Sequence, residues 1–192
     1  MRIVGGEWRG RRIEEPRGRD VTRPTTDRVR EAMASMVLSA IDVDMGEARV
    51  LDAFGGSGAL GIEMLSRGAA HLTVFDVDRG AAGLIRRNLE GLSCDRARYR
   101  VVAGDIMASA QRGRVLGGPF DLVLLDPPYA FGREPVERLL VDLARNGMLS
   151  PRAIAVFEHA AADAGAAPEG FAVEREKRYG ITAVDLLRYR SE

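Results

Sequence analysis

Residues 50–61 read Val-Leu-Asp-Ala-Phe-Gly-Gly-Ser-Gly-Ala-Leu-Gly, an apolar segment that ends in an acid and leads into a glycine-rich turn. A short apolar run bounded by turn residues is typical of a buried strand. Helix-forming residues occupy 59–67, so the stretch predicts a strand, a tight turn and a helix. Glycines in the turn permit positive φ and let a ligand approach the backbone. The helix N-terminus that follows favours a carboxylate or a phosphate.

The glycine turn has two other interpretations, a plain strand-to-helix connection and a loop for a different nucleotide. It lacks the Gly-Lys-Ser/Thr ending of a P-loop. Only residues 56–61 satisfy the dinucleotide pattern Gly-x-Gly-x-x-Gly. A nicotinamide dinucleotide therefore stays open as a rival ligand on this motif alone.

Further strands downstream also end in acids. In a doubly wound sheet, an acid about 20 residues after the glycine turn hydrogen-bonds the ribose of an adenosine cofactor. This rule assigns Asp76, which ends a strand at 72–76, to the ribose, while Asp78 is the expected N-cap of the next helix. Asp105 follows a strand at 99–103. It could accept a hydrogen bond from the adenine amine or cap the helix after it, and both roles stay open.

A fourth apolar run, at 120–125, ends in the tetrapeptide Asp-Pro-Pro-Tyr at 126–129. Proline lacks an N–H and restricts the residue before it, so the two prolines end the strand and hold an extended loop. This loop presents a carboxylate, backbone carbonyls and an aromatic ring, which suit a planar base with an exocyclic amine. The alternative is a Pro-Pro turn after a core strand, with Asp126 as a cap. The glycine turn upstream favours the functional interpretation.

The order of these units resembles the Rossmann-like S-adenosylmethionine-dependent methyltransferases that act on exocyclic amines of nucleobases. The stretches Arg-Ile-Val-Gly-Gly-Glu-Trp-Arg-Gly-Arg at 2–11 and Arg-Pro-Thr-Thr-Asp-Arg-Val-Arg-Glu at 23–31 resemble the N-terminus of RsmD-type enzymes. Those are bacterial methyltransferases of the N2 amine of a guanine in 16S rRNA. The resemblance extends from Arg2 to about Arg190. It implies an α/β, Rossmann-like fold: a seven-stranded, mostly parallel sheet (3-2-1-4-5-7-6, strand 7 antiparallel), helices on both faces and a short N-terminal arm.

The resemblance also implies the site residues and the reaction. The catalytic residues are Asp126, Pro127, Pro128 and Tyr129. The S-adenosylmethionine-binding residues are Asp52, Phe54, Gly55, Gly56, Ser57, Gly58, Asp76 and Asp105. The RNA-binding residues are Arg2, Trp8, Arg9, Arg11, Arg23, Thr25 and Arg28. The expected reaction transfers a methyl group from S-adenosylmethionine to a guanine N2 amine in 16S rRNA, free or in a 30S assembly particle. The alternative is an amine methyltransferase of DNA (adenine or cytosine amine) or of a protein glutamine.

The charge distribution supports a nucleic-acid partner. The formal net charge is zero, but residues 1–30 contain nine arginines and five acids, a net +4 that the remainder balances. The planar guanidinium suits phosphate contacts and base stacking. We therefore predict a basic N-terminal arm or hairpin for RNA binding at 1–26, followed by a methyltransferase domain at 27–192. The alternative for the arm is a solvated, partly disordered terminus.

Several classes of protein and of chemistry are not expected. No signal peptide or membrane-spanning stretch is present in the sequence. Cys94 is the only cysteine, so an internal disulfide is impossible and a cytoplasmic location is expected. It lies outside the proposed sites, which argues against the cysteine-dependent methylation of a pyrimidine carbon. His71 and His159 are expected on the surface or as caps, with no metal cluster. We expect a monomer that uses no metal.

The remaining elements complete the predicted sheet. They are a helix from Thr26 or Asp27 to about Ala40, a helix at 134–146, a strand at 153–158 and a hairpin of strands at 171–179 and 181–189. The alanine-rich stretch 160–170 is compatible with either a helix or a loop.

Overall fold

Residues 1–16 and 27–191 are described by the computed structural model of the chain, with only the backbone described at Tyr129. The predicted RNA-binding residues Arg23 and Thr25 lie outside the described residues. The helices are α1 (Asp27–Ala40), α2 (Ala59–Ser66), α3 (Arg79–Gly91), α4 (Ile106–Gln111) and α5 (Arg133–Arg145). The strands are β1 (Arg49–Asp52), β2 (His71–Asp76), β3 (Tyr99–Ala103), β4 (Phe120–Leu125), β5 (Leu149–Ala160), β6 (Phe171–Tyr179) and β7 (Thr182–Tyr189). No helix within these ranges is both long enough and apolar enough to cross a membrane.

The seven strands form one sheet in the order β3-β2-β1-β4-β5-β7-β6. The first five strands are parallel, and β7 runs antiparallel to both β5 and β6. The predicted fold class is confirmed. Strand β4 reads Phe-Asp-Leu-Val-Leu-Leu and is buried at five of its six positions, as expected for a parallel strand that is covered on both faces.

Helices cover both faces of the sheet. Apolar side chains of α1, α2 and α3 share one buried cluster with one face of the strands. Side chains of α4 and α5 share a second cluster with the other face. Because parallel strands all end at the same edge of the sheet, the carboxyl ends of β1, β2 and β4 lie side by side. Ligands of open α/β sheets bind at this edge.

In the C-terminal region, β5 differs from its predicted bounds, and the structure decides between the helix and the loop left open for residues 160–170. Strand β5 begins at Leu149, four residues before its predicted start. Strand β5 extends to Ala160, two residues beyond the predicted end, because its pairing with β7 continues to Ala160 opposite Thr182. Residues 161–170 form an irregular loop without a helix. The Ala167 N–H of this loop donates a hydrogen bond to Glu137 Oε1 on α5 (2.9 Å), so the segment is held on the second face of the sheet.

Residues 1–16, the N-terminal hairpin, fold back on themselves and pack against the body of the protein. An antiparallel bridge joins Arg2 and Arg12. Three apolar side chains of the hairpin, those of Ile3, Trp8 and Ile13, are buried in the same cluster as α1, α2 and α3. These residues are thus part of the core of the domain. The proposed division of the chain at residue 26 stays a prediction.

Candidate active site

Three carboxylates stand at the carboxyl ends of adjacent strands. Asp52 ends β1, Asp76 ends β2 and Asp126 follows β4 directly. The register places Asp52 opposite Val74 of β2 and Leu124 of β4, so the three acids border one region at the edge of the sheet. The glycine turn lies between the first two acids in sequence, and the Asp-Pro-Pro-Tyr loop begins at the third.

Asp52 is buried beneath the glycine turn. Its side chain is 2% exposed, and its Oδ2 accepts a hydrogen bond from the Gly61 N–H of α2 (3.1 Å). Burial, together with repulsion from the Asp126 carboxylate, raises the pKa of Asp52 to about 7. A ligand with positive charge at this edge would relieve the repulsion and favour the ionised form.

The raised pKa of Asp52 predicts how stability depends on pH. The ordinary pKa of the group is 3.8, so its contribution is complete below about pH 4 and is lost as the pH rises towards 7. Asp52→Asn keeps an oxygen that can accept from Gly61 but cannot ionise. Between pH 5 and pH 8, urea denaturation of the ligand-free protein is therefore expected to lose more stability in the wild type than in Asp52→Asn. If the free energy of unfolding changes equally with pH in the wild type and in Asp52→Asn, the raised pKa of Asp52 is contradicted.

The glycine turn combines a close approach to the sheet with an open surface. The Gly55 N–H donates to the Phe75 carbonyl (2.8 Å), which holds the turn against the end of β2. A Cβ at Gly55 would lie 2.5 Å from Val74 Cγ1. Gly56 and Gly58 have φ of +56° and +80°, and a Cβ at Gly56 would meet no atom within 4 Å. The turn therefore presents backbone, with open space above Gly56, to a ligand.

Alanine substitutions in the turn are expected to separate these two properties. Gly55→Ala forces overpacking against Val74 and is expected to lower the free energy of unfolding by about 1–3 kcal/mol and to weaken S-adenosylmethionine binding about tenfold. Gly56→Ala meets open space and is expected to cost only about 1–2 kcal/mol of backbone strain, with affinity within about threefold of the wild type. Urea denaturation and calorimetric titration measure the two quantities. If Gly55→Ala and Gly56→Ala lose equal affinity for S-adenosylmethionine, the proposed difference between the two glycines is contradicted.

The acids after β2 and β3 both cap backbone groups. Asp76 accepts hydrogen bonds from the N–H groups of Gly56 and Asp78 (both 2.8 Å). Asp78 caps α3 as predicted and accepts from the Gly80 N–H. Asp105 caps α4 through the Met107 and Ala108 N–H groups, which is one of its two predicted roles. Ribose binding by Asp76 and adenine binding by Asp105 stay predictions, and a carboxylate retains capacity for further hydrogen bonds.

The Asp-Pro-Pro-Tyr loop turns sharply into α5. Pro128 is extended, with φ −53° and ψ 136°, and a single 3₁₀ turn spans Tyr129–Phe131. The Phe131 ring contacts the Phe54 ring edge to face, with centroids 5.2 Å apart and an interplanar angle of 70°. This contact joins the Asp-Pro-Pro-Tyr loop to the glycine turn. Phe131 was not predicted to be a site residue. Its position, two residues after Tyr129, was the feature of the sequence that could have indicated this role.

The predicted RNA-binding residues occupy different environments. Arg2, Arg9, Arg11 and Arg28 are exposed, and Arg2 Nε lies 2.9 Å from Asp27 Oδ2. Trp8 is only 4% exposed. Its indole packs inside the protein and is not available for stacking on RNA, so its predicted role is corrected to that of a core residue that holds the hairpin in place.

Glu63 and Asn88 are among the buried polar side chains that anchor the hairpin, and neither was recognised from the sequence. Glu63 on α2 accepts hydrogen bonds from the Val4 and Gly5 N–H groups (both 2.8 Å). Asn88 on α3 accepts from the Glu14 N–H and donates to the Ser57 carbonyl (3.0 Å). Asn88 therefore links the hairpin to the glycine turn. Both residues look like ordinary surface positions of amphipathic helices, because their partners are distant in sequence.

His159 is not on the surface, in contrast to the prediction. It is 8% exposed, stacks on Phe157 with centroids 4.9 Å apart, and its Nε2 lies 3.1 Å from Asp185 Oδ2. Burial raises the pKa of Asp185. The strand extension described above moves this histidine into the sheet. Among the residues that the structure describes, no group of three or more His, Cys, Asp or Glu side chains could hold a metal ion.

The sheet order, the glycine turn and the Asp-Pro-Pro-Tyr loop at one edge define a Rossmann-like S-adenosylmethionine-dependent methyltransferase. The chain belongs to the RsmD-type family: residues 1–188 match the sequence model of the family described as Conserved hypothetical protein 95. Ribosomal RNA small subunit methyltransferase D of Escherichia coli K12 is 37% identical, with all of this chain and 91% of that protein covered. Its Haemophilus influenzae counterpart is 32% identical, with 98% and 93% covered. The solved structure of the Escherichia coli methyltransferase yhhF has a TM-score of 0.82 at 34% identity, with 100% and 99% covered.

The residues at this edge fit S-adenosylmethionine. The acids at the strand ends suit a ligand with a positively charged sulfonium, since Asp52, Asp76 and Asp126 place three carboxyl groups at this edge. The open space over Gly56 leaves room for a ligand against the backbone. Helix α2 begins at Gly58 without a side-chain cap, which leaves its N-terminus suitable for a carboxylate.

Proposed function

We propose that the protein transfers a methyl group from S-adenosylmethionine to the N2 amine of a guanine in 16S rRNA. The observation that carries the proposal is the position of the Asp126–Tyr129 loop, directly beside the carboxylates and glycine turn of the cofactor edge. The similarity to enzymes named for the small ribosomal subunit supports rRNA as the substrate. The proposed substrate also implies a cytoplasmic reaction.

The chemical obstacle in this reaction is the nucleophile. The lone pair of an aromatic amine is delocalised into the ring, whereas S-adenosylmethionine supplies a methyl group that is already activated on sulfur. The Asp126 carboxylate and the Pro127 carbonyl would accept hydrogen bonds from the two amine hydrogens and turn the lone pair towards the methyl group. Well-oriented reactants can account for about 7–11 kcal/mol of barrier reduction. In this scheme Asp126 orients the amine and does not need to act as a strong base, because the amine becomes acidic only after the N–C bond forms and the C–S bond breaks. The surplus proton then passes to the Asp126 carboxylate or to water.

The loop that carries Asp126 is suited to this orienting role because it is rigid. Two consecutive prolines restrict the backbone, and the Phe54–Phe131 contact fixes the loop relative to the glycine turn. Tyr129 would stack on the target base after the base leaves its RNA context, a step that costs a few kcal/mol in a duplex and less in a loop.

The substrate would be held through the basic N-terminal residues. Arg2, Arg9, Arg11 and Arg28 are exposed and would contact phosphates, whose geometry matches a guanidinium fork. The buried Trp8 contributes indirectly, by keeping the hairpin docked.

Transfer of labelled methyl groups tests this function. The acceptors are 16S rRNA and 30S particles from a strain that lacks the enzyme, with DNA and a protein fraction as comparison substrates. We expect label on the RNA acceptors only. Label on DNA or on protein, with none on RNA, would refute the proposed substrate while leaving the methyltransferase class intact.

A further inference from the structure

A basic groove lies at the outer edge of the sheet, away from the catalytic loop. Strand β3 is the terminal strand, and beside it a groove of about 290 Å³ is lined by Arg86, Arg96, Tyr99, Arg100 and Val101. The three arginines are exposed. None of these residues belongs to the cofactor site, the catalytic loop or the N-terminal hairpin.

The guanidinium groups of the groove are only partly neutralised. Arg96 forms an ion pair with Glu90. Arg86 Nη2 donates a hydrogen bond to the Val101 carbonyl (2.8 Å), which lays this side chain along the edge of β3. Among the ion pairs formed within residues 1–16 and 27–191, none includes Arg86 or Arg100. The groove therefore keeps a net positive charge.

Tyr99 is one of the residues that line the groove. Its hydroxyl is buried and has no hydrogen-bond partner among the described residues, an arrangement that lowers stability unless a ligand supplies an acceptor. Burial raises the pKa of Tyr99, so the hydroxyl stays protonated and available as a donor. An anion with several acceptor oxygens would satisfy the tyrosine and the arginines together.

The groove adjoins the surface formed by the N-terminal hairpin. Arg11 Nη2 donates a hydrogen bond to the Gly91 carbonyl at the end of α3 (2.7 Å), the helix that also carries Arg86. The guanidinium of Arg98, in the turn before β3, lies 5.9 Å from the centre of the Trp8 ring. A chain of arginines thus leads from the hairpin, past the end of α3, to the edge of β3.

The groove is too far from the catalytic loop to touch the same nucleotide. Strand β3 is separated from β4 by β2 and β1, which corresponds to about 14 Å across the sheet. Arg100 pairs with Thr73, three residues before the end of β2, so the groove also lies below the cofactor edge. A ligand that reaches both places must be large and must carry negative charge along its length.

We propose that this groove binds a backbone phosphate of the RNA substrate at a position remote from the methylated base. The inference rests on the proposed function and adds a second contact region to it. Arginine is the residue best suited to such a contact because its fork engages two phosphate oxygens at once. Charged side chains on an edge strand can also serve only to prevent sheets from pairing, and the experiment below separates the two roles.

The test uses Arg96→Gln combined with Arg100→Gln in the full chain. Arg86 is left in place because it holds the Val101 carbonyl. The matched control is Arg138→Gln combined with Arg145→Gln on α5, since both of these arginines are exposed and Arg145, like Arg96, has one glutamate partner. Binding to a full-length 16S rRNA transcript is measured between about 50 and 200 mM KCl. Methyl transfer to saturating transcript is measured in parallel.

We expect the groove variant to bind the transcript about tenfold more weakly and to show a salt slope smaller by about 1 to 2. Its kcat should be unchanged, and the control variant should match the wild type. Equal transcript affinity and equal salt slope of the groove variant and the control variant overturn the proposal. Methyl transfer to 30S particles is measured as well, and its loss in the groove variant with normal transcript binding also overturns the proposal, in favour of a protein partner. A wild type that binds the transcript but methylates neither the transcript nor 30S particles refutes the proposed function alone, and the difference in salt slope still decides the groove.

Discussion

Replacing Asp126 with alanine is expected to lower kcat for methyl transfer roughly 100- to 1,000-fold, the effect of removing one preorganised hydrogen-bonding group from an active site. The affinity for S-adenosylmethionine should stay within about threefold. Asp126 lies beyond the end of β4, and its charge raises the pKa of Asp52, so its removal relieves repulsion at the cofactor edge. Single-turnover kinetics with 16S rRNA and calorimetric titration of the cofactor measure the two quantities.

Asp126→Asn is the matched control because it keeps the shape and one acceptor oxygen but removes the charge. If Asp126 orients the amine through a hydrogen bond, the asparagine variant should stay within about tenfold of the wild type. If Asp126 is a required general base, both variants lose activity equally. That outcome would contradict the proposed mechanism.

Glu63→Ala is expected to give the largest change in stability. The carboxylate is fully buried and accepts from Val4, Gly5 and Arg67 (2.8, 2.8 and 2.9 Å). Removal of one partner from a buried ionic network leaves the others unsatisfied and lowers the free energy of unfolding by about 3 kcal/mol. For a chain of this size, Tm should fall by roughly 6–12 °C. Urea denaturation and thermal unfolding measure both changes.

The site of this destabilisation can be observed directly because Trp8 is the only tryptophan. Its buried indole reports whether the hairpin is docked, so Glu63→Ala should shift the fluorescence emission to longer wavelength below the global unfolding transition. Glu134→Ala is the control, since this exposed glutamate has only a 3.9 Å ion pair with Arg133, and its effect should be within about 0.5 kcal/mol. Unfolding of Glu63→Ala at the wild-type midpoint, with unshifted emission, would refute the anchoring role.

The core strands were predictable because their signals are local. Strand β4 has the bounds expected from the sequence, since a short apolar run between turn residues identifies a buried strand without knowledge of its partners. The edge strand β3 also has its expected bounds, although none of its residues is buried. The cap of α3 by Asp78 was predictable for the same reason. Once the glycine turn and the Asp-Pro-Pro-Tyr loop were placed at strand ends, the parallel sheet brought them to one edge.

The features that the sequence concealed depend on partners far along the chain. The end of β5 is set by its pairing with β7, which extends the strand by two residues beyond Glu158. His159 is one of these two residues and is therefore buried. Glu63 is polar on a helix that could have faced water, but the N-terminal hairpin covers it. Trp8 was predicted to bind RNA together with the arginines of the N-terminal segment, yet hydrophobic burial determines where its indole lies.

The identity of the modified nucleoside tests the proposed function. Small-subunit rRNA and 30S particles from a strain that lacks the enzyme are treated with the protein and S-adenosylmethionine, then digested to nucleosides and analysed by mass spectrometry. We expect N2-methylguanosine at a single position after treatment with the wild type. We expect none after treatment with Asp126→Ala. Methylation of another base, or N2-methylguanosine that persists undiminished with Asp126→Ala, would contradict this expectation.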